Sequence, residues 1–345
     1  MRFHDSKKAM TFSDSDKKKY VYRVEDRSLL LPFFRQFFWR PILQFIPKTI
    51  SPNVLTICGN SFAWFSFLLI VLAPNSSKLV FLVSGLCIAA YITIDNLDGE
   101  HARRTDRASK LGEFLDHWFD NYSAALCVFG FALMLDLSQG FTLLGVGTVC
   151  WVSMITFWEH LRRGEVVLGF VGNIEAMTSI ILTYASALIF GVETINQKFL
   201  FSYLSIPETL FLVMSIGVLV SLMSPIRRLR NHFSDLLAPS ISFVLLVIWA
   251  ENTQGPLLLH GLLLLLLGNY YAGKFVVARF GHQAIKISDP FLVMVLVLMN
   301  AAGWLFPLPQ HQETILGCLL FLYLFARVML EFFGTITTIS KHFTM

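Results

Sequence analysis

The sequence predicts an all-α, polytopic integral membrane bundle of about ten transmembrane helices, preceded by an N-terminal interfacial amphipathic helix. Three observations predict it. Of the 345 residues 55% are apolar and only 14% charged, with 33 phenylalanines, a composition that places the chain in a membrane. Apolar stretches near the roughly 20 residues needed to cross a hydrocarbon core run over 53–73, 78–97, 112–136, 141–160, 174–192, 208–226, 235–251, 256–277, 288–307 and 313–333. Finally, lysine and arginine alternate between the connections as cytoplasmic and translocated loops do.

Taken in chain order, residues 1–50 hold eleven basic residues and open without the short apolar core and small-residue cleavage site of a signal peptide. Within them, residues 28–47 (SLLLPFFRQFFWRPILQFIP) are apolar and aromatic, interrupted by Arg35 and Arg40 and closed by Pro47 and Pro52. That pattern suits a helix lying in the headgroup plane; a loop or a packed soluble helix is the alternative. The second, fourth, sixth and eighth connections carry Arg103, Arg104, Arg107, Lys110, Arg162, Arg163, Arg227, Arg228, Arg230, Lys274, Arg279 and Lys286, whereas the opposite face has Lys78 and Lys198. An even number of crossings then leaves both termini cytoplasmic. The formal charge of +4 reports topology and anionic lipid rather than a nucleic-acid partner. Cys58, Cys87, Cys127, Cys150 and Cys318 fall inside spans without paired metal-ligand spacing, so they read as small core residues. The expected units are a cytoplasmic segment with its surface helix (1–50), a core (51–192) and further spans (193–345) that supply a lipid pocket and dimer region.

The run DNLDGEHARRTDRASKLGEFLDHWFD, residues 95–120, concentrates the chemistry. Asp95 and Asp98 close the second span at i, i+3, on one helical face. The third span opens with Glu113, Asp116, His117 and Asp120, a polar stripe with the spacing normally used for an apolar seam. Ionised carboxylates at that depth need partners or metals, and two Mg²⁺ ions would match the formal charge of four aspartates. Magnesium favours a few carboxylates together with water and phosphate, and paired ions clamp the oxygens of an in-line phosphoryl displacement. Gly99, Ala102 and Gly112 leave room for close approach of a nucleotide, or equally for span packing. Arg103 offers a planar fork for phosphate. Structural pairing of the aspartates with Arg103 or Arg104, or an ion pathway, is the other reading of the same charges. His117 could likewise be a satisfied bundle histidine, Glu159 and His160 interfacial residues, and Asn53 a cap for the first span.

The run fits D-x2-D-G-x2-A-R-x8-G-x3-D-x3-D in every fixed position, and so resembles the signature of the CDP-alcohol phosphotransferases. Upstream, Ser51-Pro52-Asn53-Val54-Leu55-Thr56 is similar to the entry of the eukaryotic-type choline and ethanolamine phosphotransferases, as are Tyr22-Arg23 and Ser28-Leu29-Leu30. LGEFLDH at 111–117, Trp158 with Gly164 and Glu175, and VVARFGHQ from Val276 resemble the same branch. The resemblance implies that Asp95, Asp98, Asp116 and Asp120 hold two Mg²⁺ or Mn²⁺ ions, and that Asn53, Gly99, Ala102, Arg103, Gly112 and Glu113 meet the CDP-alcohol. It implies His117 as base, supported by Glu175, with Asp120 as the competing base. The implied reaction transfers phosphoethanolamine or phosphocholine from CDP-ethanolamine or CDP-choline to diacylglycerol, releasing CMP. A homodimer in endoplasmic reticulum or Golgi membranes is implied, or an inner-membrane protein if the source is bacterial. A CDP-diacylglycerol-dependent synthase joining a soluble alcohol is the alternative, and an ion transporter a distant one. Glu100-His101, Trp118-Phe119 and the residues of GNIE before Glu175 depart from the branch pattern, which bears on headgroup and acceptor preference.

Overall fold

A computed structural model describes residues 24–73, 77–200, 203–280, 287–306 and 308–341; the expectations for Tyr22-Arg23 and for the end of VVARFGHQ lie outside them. After a three-residue strand, β1 (Val24–Asp26), a surface helix is assembled from α1 (Leu31–Phe34), a π-helical turn (Arg35–Trp39) and α2 (Arg40–Phe45). Pro41 explains the π turn. It has no N–H for the carbonyl one turn back and its ring crowds that group, so the turn widens and the Arg40 N–H donates to Arg35 O. The helix ends at Ile46, which turns extended before Pro47. Trp39 is buried while Phe33, Phe37, Phe38 and Phe45 are exposed, the two-sided pattern of an interfacial helix.

The long helices follow: α3 (Pro52–Leu72), α4 (Lys78–Arg104), α5 (Lys110–Met134), α6 (Gln139–Arg163), a strand β2 (Val166–Leu168), α7 (Asn173–Phe190), a short α8 (Val192–Ile195), α9 (Ile206–Arg228), a 3₁₀ turn (Arg230–Leu236), α10 (Leu237–Asn252), α11 (Leu257–Phe280), α12 (Pro290–Leu305) and α13 (Gln310–Lys341). Eight helices among the described residues are long and apolar enough to cross a membrane. The other two expected spans differ for physical reasons. Helix α5 carries the acidic stripe, which lowers its hydropathy. Helix α12 has 16 residues, about 24 Å at 1.5 Å per residue, short of the roughly 30 Å core.

Two apolar cores hold the bundle. One joins α5, α6, α10, α11, α12 and α13, the other α3, α4, α5 and α7 with the surface helix. Helix α5 serves both: Phe114, Trp118 and Phe129 face the first core, Val128, Phe131 and Met134 the second. Helix α11 is central, with Leu263, Leu267, Tyr270, Tyr271, Ala272 and Phe275 all fully buried. It can lie that close because Gly268 sits against α6, where a Cβ would meet the Cys150 Cβ at 2.3 Å. Cys87, Cys127 and Cys150 are buried as expected, but Cys58 and Cys318 are exposed on outward faces. Strands β1 and β2 pair in parallel, Val24 with Val166 and Asp26 with Leu168, and so dock the amino-terminal segment beside the end of α6.

Candidate functional site

The last turns of α4 and the first turns of α5 face one another across α3, and the acidic run lies between them. Ser109 makes this possible by capping α5, its Oγ accepting the Gly112 N–H at 3.0 Å. Asp95, Asp116 and Asp120 come together there, each offering an oxygen within 4.8 Å of the others. At that separation and an effective dielectric near 20, each pair of ionised carboxylates repels by roughly 3 kcal/mol. A cation removes that cost. The Asp95 Oδ1 atom is buried with no hydrogen-bond partner, and an acceptor left in that state is expensive unless a ligand fills it. The three carboxylates therefore fit a hard divalent cation.

Asp98 stands one turn on from Asp95, outside the close trio. Its Oδ2 accepts from the Thr56 hydroxyl at 2.5 Å, and both residues are buried, 5% and 3% exposed. Asn60 donates to Asp120 Oδ1 at 3.5 Å and accepts from Ser123, which in turn accepts from the Trp64 indole. Thr56 closes the Ser51–Thr56 entry motif, whereas Asn60 belongs to no motif in the sequence. Only its spacing of four from Thr56 along the first span, on the side turned toward the motif, points to Asn60.

The substrate-contact candidates cluster at the same end. Gly99 is roomy, since a Cβ would meet nothing nearer than the Arg103 guanidinium at 3.5 Å, and Arg103 is exposed. Ala102 is half-buried. Gly112 lies against Asn53, whose Oδ1 would be 3.1 Å from a Cβ there. Asn53 does not cap the first span: Ser51 holds the cap position. Arg104 is spoken for, donating to Leu43 O and to Ile46 O at 2.6 Å and meeting His101 Nδ1 at 2.9 Å. Among the described residues no ion pair joins Arg103 or Arg104 to an aspartate, which weakens the structural-pair reading. The departures Glu100 and His101 have work in the fold. Glu100 pairs with Arg35 of the surface helix at 2.5 Å, and His101 Nε2 meets Ile50 O at 2.9 Å.

His117 is buried on α5 beside the aspartates, and its ring lies 5.2 Å from that of His160 and 4.9 Å from that of Phe157. Glu113, one turn earlier, accepts from Arg279 Nε at 2.9 Å and stands 3.6 Å from His160 Nε2. His160 and Glu159 are each 1% exposed, so they are interior residues rather than interfacial ones. Glu159 pairs with Arg228 at 2.7 Å. Arg279, counted in the sequence only as loop charge, is part of the site.

Glu175 has partners of its own. Oε1 accepts from Ser28 Oγ at 2.6 Å and from Leu30 N–H at 3.1 Å, and Oε2 accepts from Gly172 N–H at 2.8 Å. It caps α7 and ties the amino-terminal segment to the core; His117 is grouped with Glu113 and His160 instead. Nearby, burial pushes the Asp26 carboxyl above its ordinary value, the Ser28 N–H pulls it back and the charge of Glu175 adds to the rise. Trp158 and Gly164 are also structural. The Trp158 indole donates to Asp235 at 3.0 Å, and Gly164 ends α6 at φ +78°, a left-handed position that favours glycine.

A family model described as CDP-alcohol phosphatidyltransferase matches residues 49–223, just over half of the chain. The chain is 27% identical over 266 residues to ethanolaminephosphotransferase 1 of Mus musculus, covering 67% of this chain and 65% of that protein. It is 26% identical over 226 residues to choline/ethanolaminephosphotransferase 1 of Saccharomyces cerevisiae, covering 62% and 58%. It is 25% identical over 343 residues to an uncharacterized CDP-alcohol phosphatidyltransferase class-I family protein 2 of Dictyostelium discoideum, covering 94% and 83%. The matches to the first two span a little under two-thirds of those relatives' length.

Proposed function

This chain belongs to the CDP-alcohol phosphatidyltransferase family, and from that premise we propose that it transfers phosphoethanolamine or phosphocholine from CDP-ethanolamine or CDP-choline to the hydroxyl of diacylglycerol. The observation that carries the reading is the convergence of Asp95, Asp116 and Asp120 within 4.8 Å, next to a buried imidazole at the end of a membrane span. Asp95, Asp98, Asp116 and Asp120 would hold two Mg²⁺ or Mn²⁺ ions, which when bound neutralise the diphosphate and the departing phosphate.

The chain's own residues do the rest. Arg103, exposed beside the open space at Gly99, grips a phosphate of the donor as a bidentate fork. Ala102 and Gly112 keep the approach open, and Asn53 and Glu113 flank it. The acceptor oxygen bonds to the β-phosphorus as the bond from that phosphorus to the bridging oxygen breaks, and CMP leaves. The hydroxyl proton passes to His117, an imidazole able to accept it, or to Asp120 in the competing assignment. Glu175 supports the site from a distance by holding the amino-terminal segment in place. Donor and aspartates lie at the basic end of the spans, so the nucleotide reaches the site from the cytoplasm, with both termini on that side; the acceptor enters from the bilayer, and the working unit is a homodimer.

Purified protein with diacylglycerol and Mg²⁺ should release CMP from CDP-ethanolamine or CDP-choline. Release from CDP-diacylglycerol with a soluble alcohol alone would replace this reading by the synthase one. Cation flux in proteoliposomes without CMP formation would replace it by transport.

A further inference from the structure

We propose that Glu113, His117 and His160 form a second metal site, distinct in chemistry from the aspartates, which takes a zinc-class cation. One donor atom from each lies within 4.8 Å of the other two, and all three residues are buried, 7%, 5% and 1% exposed. Glu113 and His117 are one turn apart on α5, and His160 comes from the last turn of α6, so two rigid helices present the set. Two imidazoles and one carboxylate are the donors of an open tetrahedral zinc site, with a fourth position for water. Imidazole nitrogen favours zinc, copper or cobalt, whereas Mg²⁺ prefers oxygen alone, so the two sites sort cations by ligand type.

The geometry is close to closing. Donors of a tetrahedral zinc site with bonds near 2.0–2.1 Å stand about 3.3 Å apart; Glu113 Oε1 and His160 Nε2 are already 3.6 Å apart. The imidazole planes are nearly perpendicular, at 74°, so the rings do not stack face to face and small rotations can converge their nitrogens. Arg279 donates to Glu113 at 2.9 Å, the kind of outer partner that fixes a ligating carboxylate. Its charge also weakens cation binding, which suits a reversible site rather than a permanent structural one. Occupancy takes the imidazole nitrogen of His117. Under the proposed function, which this consequence alone rests on, a zinc ion here stops proton acceptance and inhibits transfer.

Cobalt(II) is the direct probe, titrated into purified full-length protein in excess Mg²⁺ to keep the aspartates filled. The wild type should develop the intense visible absorption of four-coordinate cobalt, which Zn²⁺ then abolishes. H160Q should lose that absorption and bind cobalt at least tenfold more weakly, while D116N retains it. Zn²⁺ should inhibit CMP release by the wild type in a way that added Mg²⁺ does not reverse. Absence of the absorption from the wild type overturns the site whatever the variants do. So does absorption that survives H160Q or disappears in D116N, which assigns the ion to the aspartates. If the cobalt results hold and no cytidine donor yields CMP, the metal site stands and the transferase reading falls.

Discussion

Thr56→Val tests the aspartate cradle with almost no change of shape. Thr56 and Asp98 are both buried, and the 2.5 Å hydrogen bond between them holds Asp98 Oδ2. A hydrogen bond to a charged group contributes about 1.5–3 kcal/mol, a factor of roughly 10 to 150 in an equilibrium constant at 1.4 kcal/mol per tenfold. Loss of an outer partner of a metal ligand typically lowers metal affinity about 10–100-fold. The two ranges agree, so the Mg²⁺ concentration for half-maximal CMP release should rise at least tenfold in Thr56→Val, with Thr56→Ser close to wild type because it keeps the donor. The assay is initial CMP release across a Mg²⁺ titration, paired with Mg²⁺-dependent thermal stabilisation in detergent, which reads binding without turnover. A Mg²⁺ requirement within twofold of wild type in both assays would show that Thr56 does not orient a metal ligand.

Arg279→Gln removes the Arg279 guanidinium from the Glu113 carboxylate, 3% exposed at the side chain against 21% for Arg279; because Arg279 is partly wet, about 2 kcal/mol should be lost rather than the 3–5 of a fully buried pair. A melting curve should show the loss, and Glu113→Gln/Arg279→Gln should recover part of it, whereas strict additivity would mean the two do not interact. Glu175→Ala removes the acceptor for Ser28, Leu30 and Gly172, so limited proteolysis should cut faster around residues 24–30; unchanged cutting would rule out the tether. Asp26 binds its proton more tightly in the folded chain, so the native state holds more protons and stability falls as pH rises from the ordinary carboxylate range through the raised value. The tether should resist protease better at acid pH, and Asp26→Asn should flatten that dependence. Gly164→Ala places a side chain at φ +78° and should cost roughly 1–2 kcal/mol; an equal or higher melting temperature would contradict the left-handed ending of α6.

Much of the site was legible because its chemistry is local. The aspartates, Gly99, Arg103 and Gly112 sit within 26 residues, at spacings that helical geometry turns into one polar face. Membrane character was legible from composition, and the surface helix from its aromatic run and prolines. What escaped depends on distant partners. His160 and Arg279 join Glu113 from α6 and α11, and nothing in their neighbours says which face will turn inward. Glu175 looks like a site residue in sequence but reaches Ser28, 147 positions away. Strands β1 and β2 have three residues each, too few to show an alternating pattern. Helices α5 and α12 depart from the plain apolar template of a span, the first by its acidic stripe and the second by its 16 residues.

Asp95, Asp98, Asp116 and Asp120 are proposed to hold divalent cations. Mn²⁺ binding followed by loss of the free-ion electron paramagnetic resonance signal tests it on purified protein, with a cytidine-linked donor present. Two ions per chain for the wild type, falling to one or none in Asp116→Ala while the protein stays folded, is the expected result. Equal Mn²⁺ binding by wild type and Asp116→Ala, or none by either, would contradict it.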